Sequence, residues 1–439
     1  MTKEPKPGQG SPCVSEGISR EMHGLVAELY PICRSITGNG VRETLRRIQA
    51  HIPLTIHEVP SGTQVFDWTV PKEWNIRDAY IKDPAGVKIV DFQRSSLQVM
   101  SYSTPIRARL TLEELKPHLY SLPDHPEWIP YKTSYYKNAW GFCLPHRTLD
   151  SLAPGTYEVV VDSSLEDGSL TYGECYLSGS SREEVLISCH CCHPALCNDN
   201  LSGIAVATFL AKHLQGRSRR YSYRFLFAPG TIGSITWLAK NDAVIPRIKH
   251  GLVVSCVGDG GAFTYKKSRQ GQTEIDRVVE YQLKHAGNPY QIREFTPYGY
   301  DERQYCSPGF DLPVGSLSRT PHGEFPEYHT SADDLTLVRP DCLRESLEQY
   351  EAICDILDKN LRFQNQNPKC EPQLGKRGLY RQMGGKSAQP INEFAMLWVL
   401  NQSDGLHSLL DIAERSGLPF SIVAESACAL EAVGLLKAQ

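Results

Sequence analysis

Two histidines and an aspartate fall within ten positions in the stretch Cys189-His190-Cys191-Cys192-His193-Pro194-Ala195-Leu196-Cys197-Asn198-Asp199-Asn200-Leu201-Ser202-Gly203. Imidazole nitrogen and carboxylate oxygen are donors that Zn²⁺ takes. An apolar run, Val185-Leu186-Ile187-Ser188, precedes them, and an amphipathic helix pattern from Ile204 to Leu214 follows. Loops at strand C-termini converge on one crevice in α/β enzymes, so a strand, a His/Asp loop and a helix form a natural metal-binding order. His190, His193 and Asp199 are the first ligand candidates. The four cysteines among them do not form a CxxC pair matched by a distant CxxC. They read as packed, reduced thiols rather than a cluster or a structural zinc site.

The elements that must carry this loop follow from the rest of the chain. Its 439 residues exceed what one core usually holds, so two or three domains are expected. The net charge of −4 implies neither a polyanion nor a membrane surface as partner. No apolar run is long enough to span a bilayer. Residues 1–17 read as a polar, disordered tail without the apolar core of a signal peptide, and a cytoplasmic location is expected.

Residues 18–51 show helical spacing, with Met22, Leu25, Val26 and Leu29 before the turn Gly38-Asn39-Gly40 and Val41, Leu45 and Ile48 after it. Residues 62–165 change to short strands, turns, aromatics and prolines, and read as an inserted β-rich domain. Strands then alternate with helices from 184 to about 362. Strands are expected at Val185 to Cys189, Tyr223 to Ala228, Leu252 to Cys256 and Leu312 to Leu317. Helices are expected over 201–214, 232–241, 274–286 and 341–360, which predicts a largely parallel sheet with helices on both faces. Residues 18–61 and 166–363 together make this α/β domain. Residues 364–387 read as a linker and 388–439 as a winged helix.

The 185–203 segment resembles the co-catalytic zinc aminopeptidases, whose pattern is a strand, His-x-Asp, then Asp-Asn-x-Ser-Gly opening a helix. His190 and Asp199-Asn200-Leu201-Ser202-Gly203 match it. The resemblance also implies metal ligands at Asp259, after the next strand but one, and at His329 in Tyr328-His329-Thr330-Ser331. With the phrases Pro31-Ile32-Cys33-Arg34-Ser35-Ile36-Thr37-Gly38 and Asp301-Glu302-Arg303-Gln304, nearly the whole chain resembles the bacterial aminopeptidase-like domain proteins. The fold implied is a three-layer, phosphorylase/hydrolase-like α/β domain with an inserted β domain and a C-terminal winged helix.

Two departures change the expected chemistry. Cys192 stands where the pattern has the Asp of His-x-Asp, so another group must brace the ligands. Gly230 and Thr231 stand where the aminopeptidases carry Glu-Glu, one a general base and one a ligand. One zinc rather than two is therefore expected, with His193 available to replace a missing ligand. Glu302 and Glu324 are the expected proton-transferring carboxylates, and Arg303 and Tyr328 the expected substrate-binding residues.

The implied activity is zinc-dependent hydrolysis of an amide bond in a peptide or an amide-containing biosynthetic intermediate. The alternative is a non-catalytic metal- or ligand-binding protein of a biosynthetic assembly. The winged helix has two basic residues, Arg415 and Lys437, against six acidic ones over 387–439. Nucleic acid is therefore not expected as a partner, whereas packing or homo-oligomerisation is.

Overall fold

The computed structural model describes residues 16–379 and 393–439. Most of the expected N-terminal tail and much of the expected linker lie outside these residues. The chain divides into two compact units, one within residues 14–350 and one within 351–439.

An eight-stranded mixed sheet organises the first unit. Its spatial order is Thr55–Pro60, Ser169–Leu177, Ser222–Ala228, Glu184–His190, Ile248–Val254, Val314–Ser318, Phe263–Lys266 and Tyr290–Arg293. The four central strands, from Ser222–Ala228 to Val314–Ser318, are parallel. Every residue of Glu184–His190 and Ser222–Ala228 is buried. That is why these strands read as unbroken apolar runs rather than as alternation. The expectation of a largely parallel sheet holds for this centre and for the edge pair Phe263–Lys266 and Tyr290–Arg293. Antiparallel pairings bring Ser169–Leu177 against Ser222–Ala228 and Phe263–Lys266 against Val314–Ser318.

Chain order reverses at Glu184–His190. The next strand, Ser222–Ala228, lies on one side of it and the one after, Ile248–Val254, on the other. A crevice opens at such a switch point, beyond the strand C-termini. His190 is the last residue of the strand at this point. The helix Gly203–Leu214, which leaves the crevice, is buried almost all round, which accounts for its small hydrophobic contrast between faces.

The chain leaves the main sheet after Pro60 and returns to it at Ser169. Between them, Lys88–Asp91, Glu73–Lys82, Thr156–Glu166 and Ile106–Thr111 form an antiparallel sheet. This sheet has its own core, with Ile81, Val90, Phe142, Tyr157 and Val159 among its members.

The second unit is a winged helix. Helices Glu393–Gln402, Leu409–Ser416 and Phe420–Ala432 accompany a sheet of Asp404–Ser408, Arg362–Asn365 and Leu436–Ala438. Ser408 opens the second helix through a capping box with Asp411, and Gly417 at φ 69° ends it. The start of the expected linker at 364 is corrected. Arg362–Asn365 is the middle strand of the wing sheet, paired with strands more than 35 residues away, a partnership that local composition does not reveal. Among the described residues, no helix is long and apolar enough to cross a membrane.

Candidate metal centre

His190 projects from its strand end and is wholly buried. Asp199, 1% exposed, lies in the irregular turn Cys197–Ser202 that leads into the next helix. Its Oδ1 is 2.8 Å from Nε2 of His190, and its Oδ2 is 3.0 Å from Nε2 of His329. His190, His193 and Asp199 present donor atoms that lie within 4.8 Å of one another. The rings of His193 and His329 are 5.0 Å apart, so three imidazoles surround one carboxylate.

The electrostatics match this arrangement. Burial would raise the Asp199 carboxyl, but the imidazoles of His193 and His190 outweigh it, and the group stays well below the usual carboxylate range. Burial pushes the His193 imidazole well below its ordinary value, against the pull of Asp199. Two imidazoles and a carboxylate, buried and close together, are donors of the kind that zinc takes. The donor set therefore fits Zn²⁺.

A hydrogen-bond frame holds the loop across the crevice. Asn200 donates to the Val254 carbonyl at 3.0 Å and accepts from the Cys256 amide at 3.2 Å. The Asp333 carboxylate accepts from the backbone amides of Asn198 and Asp199. Burial, the largest influence on Asp333, pushes its carboxyl up to about 7. Nothing in the sequence marks Asp333 for this role, because its partners lie more than 130 residues away.

Asp259 is placed in this frame and outside the donor set. Its Oδ2 accepts from Asn198 at 3.0 Å and its Oδ1 from the Gly261 amide at 2.8 Å, so it holds its own Gly-rich turn.

His329 sits at φ 56°, a region uncommon for a residue with a side chain. The inserted segment holds it there. Tyr131 donates its amide to the His329 carbonyl at 2.7 Å, and Ser331 donates to the Ile129 carbonyl at 2.8 Å. The Tyr131 ring stands edge-on to both His193 and His329. Tyr328 stacks on His329, with ring centroids 3.9 Å apart. His329→Ala is expected to lower zinc affinity by at least about 10-fold, because even groups behind a ligand are worth about 10- to 100-fold. Zinc competition against a chromophoric chelator measures this; unchanged affinity would make His329 a structural residue.

The expected carboxylates are engaged elsewhere. Glu302 is buried, 2.8 Å from Lys266 Nζ, and both its oxygens accept from the Tyr300 amide. Glu324 is exposed and ion-paired with Arg293, which lowers its carboxyl pKa. Each carboxylate is thus the partner of a cation. Arg303 lies on the far side of Tyr300, in a separate cavity.

Asp301 was missed by the sequence reading. It is wholly buried, its Oδ1 accepts from Ser234 Oγ at 2.8 Å, and its Oδ2 has no hydrogen-bond partner. Burial pushes its carboxyl up to about 6, and the His190 imidazole is the strongest influence the other way. Next to it, the Tyr300 ring stacks 3.9 Å from that of His190. A Cβ built on Gly230 would stand 2.1 Å from Cε1 of Tyr300. The tyrosine thus occupies the space that a side chain at 230 would need.

An α/β sheet with a cluster of His and Asp side chains at its switch point, followed by a winged helix, is the make-up of an aminopeptidase-like protein. A family model described as "Domain of unknown function (DUF4910)" matches residues 23–360, and a "winged helix-turn-helix" model matches 362–438. The chain belongs to the DUF4910 family. A "Putative polysaccharide biosynthesis protein with aminopeptidase-like domain" from Clostridium acetobutylicum is 56% identical over 417 residues, covering 95% of this chain and 96% of its own. A crystal structure of a "putative peptidase" from that organism superposes with a TM-score of 0.92 at 53% identity, covering 97% of each chain. A zinc aminopeptidase from Bacillus subtilis shares the fold at 11% identity, with a TM-score of 0.55 over 76% of this chain and 93% of its own.

Proposed function

We propose that this chain is a zinc-dependent hydrolase of amide bonds, acting on a peptide or an amide-containing biosynthetic intermediate. The convergence of three imidazoles on the buried Asp199 carries the reading. His190, His193, Asp199 and His329 would hold one zinc ion. A zinc ion in such a site polarises the carbonyl and lowers the pKa of water. The water that adds to the amide carbon would supply the proton with which the amine leaves as the C–N bond breaks.

Asp301 is the carboxylate best placed to brace the ligands. Its bare, buried Oδ2 is the group that a histidine ligand needs behind it when the His-x-Asp aspartate is replaced by Cys192. Asp301→Asn is expected to weaken zinc binding by about 10- to 100-fold while the fold is kept. Chelator competition reads this directly; equal zinc affinity in the two proteins would remove Asp301 from the site.

The relative's name supports a biosynthetic setting, and the zinc aminopeptidase neighbour supports hydrolysis. The test is metal analysis of protein purified without chelator, plus turnover of a panel of peptidyl and acyl amides with and without a chelator. A chain that takes up no zinc, or hydrolyses none of the panel, defeats the proposal. The pairing of Glu302 with Lys266 and of Glu324 with Arg293 favours a second reading, a metal-dependent binding protein. Saturable ligand binding without turnover would establish it.

The winged helix is proposed to serve packing or oligomer assembly. Its helix Phe420–Ala432 carries Glu425 and Glu431 and no base. The full-length chain is expected to show no salt-sensitive binding to duplex DNA at micromolar concentration; a shift that weakens as salt rises would overturn this.

A further inference from the structure

A cavity of about 240 Å³ has Tyr300, the neighbour of His190, in its wall. Its walls are aromatic. Trp68, Tyr135 and Tyr136 come from the inserted module and Tyr300 from the α/β domain. Trp68 and Tyr136 face each other at 5.4 Å and are about half exposed. Gly230 and Thr231 form its floor, and Arg303 enters from the side.

The charge in this cavity is unbalanced. No acidic residue lines it. Arg303 makes no ion pair or hydrogen bond with any described residue, and its Nε is buried without a partner. Neighbouring cations are satisfied by contrast: Lys266 by Glu302 and Arg293 by Glu324. A half-buried guanidinium left open beside aromatic faces has the geometry to take a planar anion through paired hydrogen bonds. A free amino group entering here would meet a cation and no carboxylate among the lining residues. The acidic pair that the aminopeptidase pattern carries at 230–231 is absent at the same place.

We propose that this cavity binds the carboxylate-bearing side of the substrate, so that the preferred substrates are N-acylated amino acids with a ring or other flat group, and not free-amine aminoacyl amides. The proposal rests on the reading of the histidine cluster as the reacting centre. Tyr300 joins the two, with one face on His190 and its edge in the cavity. The aromatic walls supply stacking area, and Arg303 fixes the direction in which the substrate lies.

The test uses zinc-loaded full-length protein and calorimetry with three small probes. These are N-acetyl-L-phenylalanine, its carboxamide, and L-phenylalaninamide. N-acetyl-L-phenylalanine is expected to bind at least about 10-fold tighter than either amide, the usual worth of a charge-assisted pair. Arg303→Met is expected to remove that preference, and Arg303→Lys to restore part of it. Equal binding of the acid and its carboxamide, tighter binding of the free amine, or no binding of the acid at millimolar concentration overturns the proposal. So does an Arg303→Met protein that keeps the preference. The comparison of probes on the wild-type chain decides even where the variants fold poorly. Carboxylate-selective binding without turnover would defeat the hydrolase reading and leave this one standing. Turnover of free-amine amides with no such selectivity would do the reverse.

Discussion

Asp199→Asn is expected to lower zinc affinity by more than about 100-fold, beyond the range that groups behind the ligands account for. The substitution is nearly isosteric, so the turn Cys197–Ser202 and its bonds to Asp333 should persist. What disappears is the negative charge at the centre of three imidazoles. The carboxamide is a poorer zinc donor, and its NH₂ group would face one of the two histidines whose nitrogens now stand about 3 Å from the carboxylate oxygens. Zinc per chain after gel filtration, with affinity from chelator competition, measures the effect. Retained wild-type zinc content would mean that the metal, if bound, is held elsewhere. Near-ultraviolet circular dichroism distinguishes loss of the site from loss of the fold.

The largest effect on stability is expected far from the crevice. Glu184 is wholly buried at the start of the central strand, and Arg224 on the neighbouring strand meets it at 2.7 and 3.1 Å. Arg224 also pairs with Glu174 on the next strand, whose carboxylate accepts from Trp237 as well. Arg224→Met keeps most of the volume but leaves the Glu184 carboxylate with only the more distant Arg247, 3.9 Å away, as a cation. Breaking a buried pair by removing one member costs about 3–5 kcal/mol. The urea midpoint of the 14–350 unit should fall accordingly, with an unchanged slope. The double change Arg224→Met/Glu184→Met should recover part of the loss, because the wholly buried carboxylate is gone while Glu174 still lacks its guanidinium partner. A single variant with a wild-type midpoint would show that water already reaches Glu184.

What could be read in advance was local or repeated. The buried parallel strands announced themselves as Val185-Leu186-Ile187-Ser188 and Tyr223 to Ala228, and His190 and Asp199 stand nine residues apart in one loop. His329 was legible through its flanking Tyr328 and Thr330-Ser331. The short strands Phe263–Lys266 and Tyr290–Arg293 were missed because four residues with mixed burial carry no clear period. Asp259 and Asp333 are alike in sequence, each an Asp in a turn-forming stretch. Their division of labour depends on Asn198, which lies 61 residues from Asp259. Glu302 looked available because Lys266, which occupies it, is 36 positions away. Asp301 and Arg303 flank it, and only the folded chain separates them, one wholly buried against Ser234 and one lining the aromatic cavity.

The grip of Ile129 and Tyr131 on the His329 loop gives the inserted module a second meaning. A domain grafted into a surface turn can usually be excised, leaving its host intact. Here the host borrows a hydrogen-bonded neighbour from the graft to hold one ligand in a conformation that histidine rarely adopts alone. A minimal version cut back to the α/β scaffold would keep the sheet, His190 and Asp199, yet lack the splint on the opposite side. The two parts can therefore be expected to have diverged as one unit, and shuffling this insertion among relatives should carry its host's metal affinity along with it.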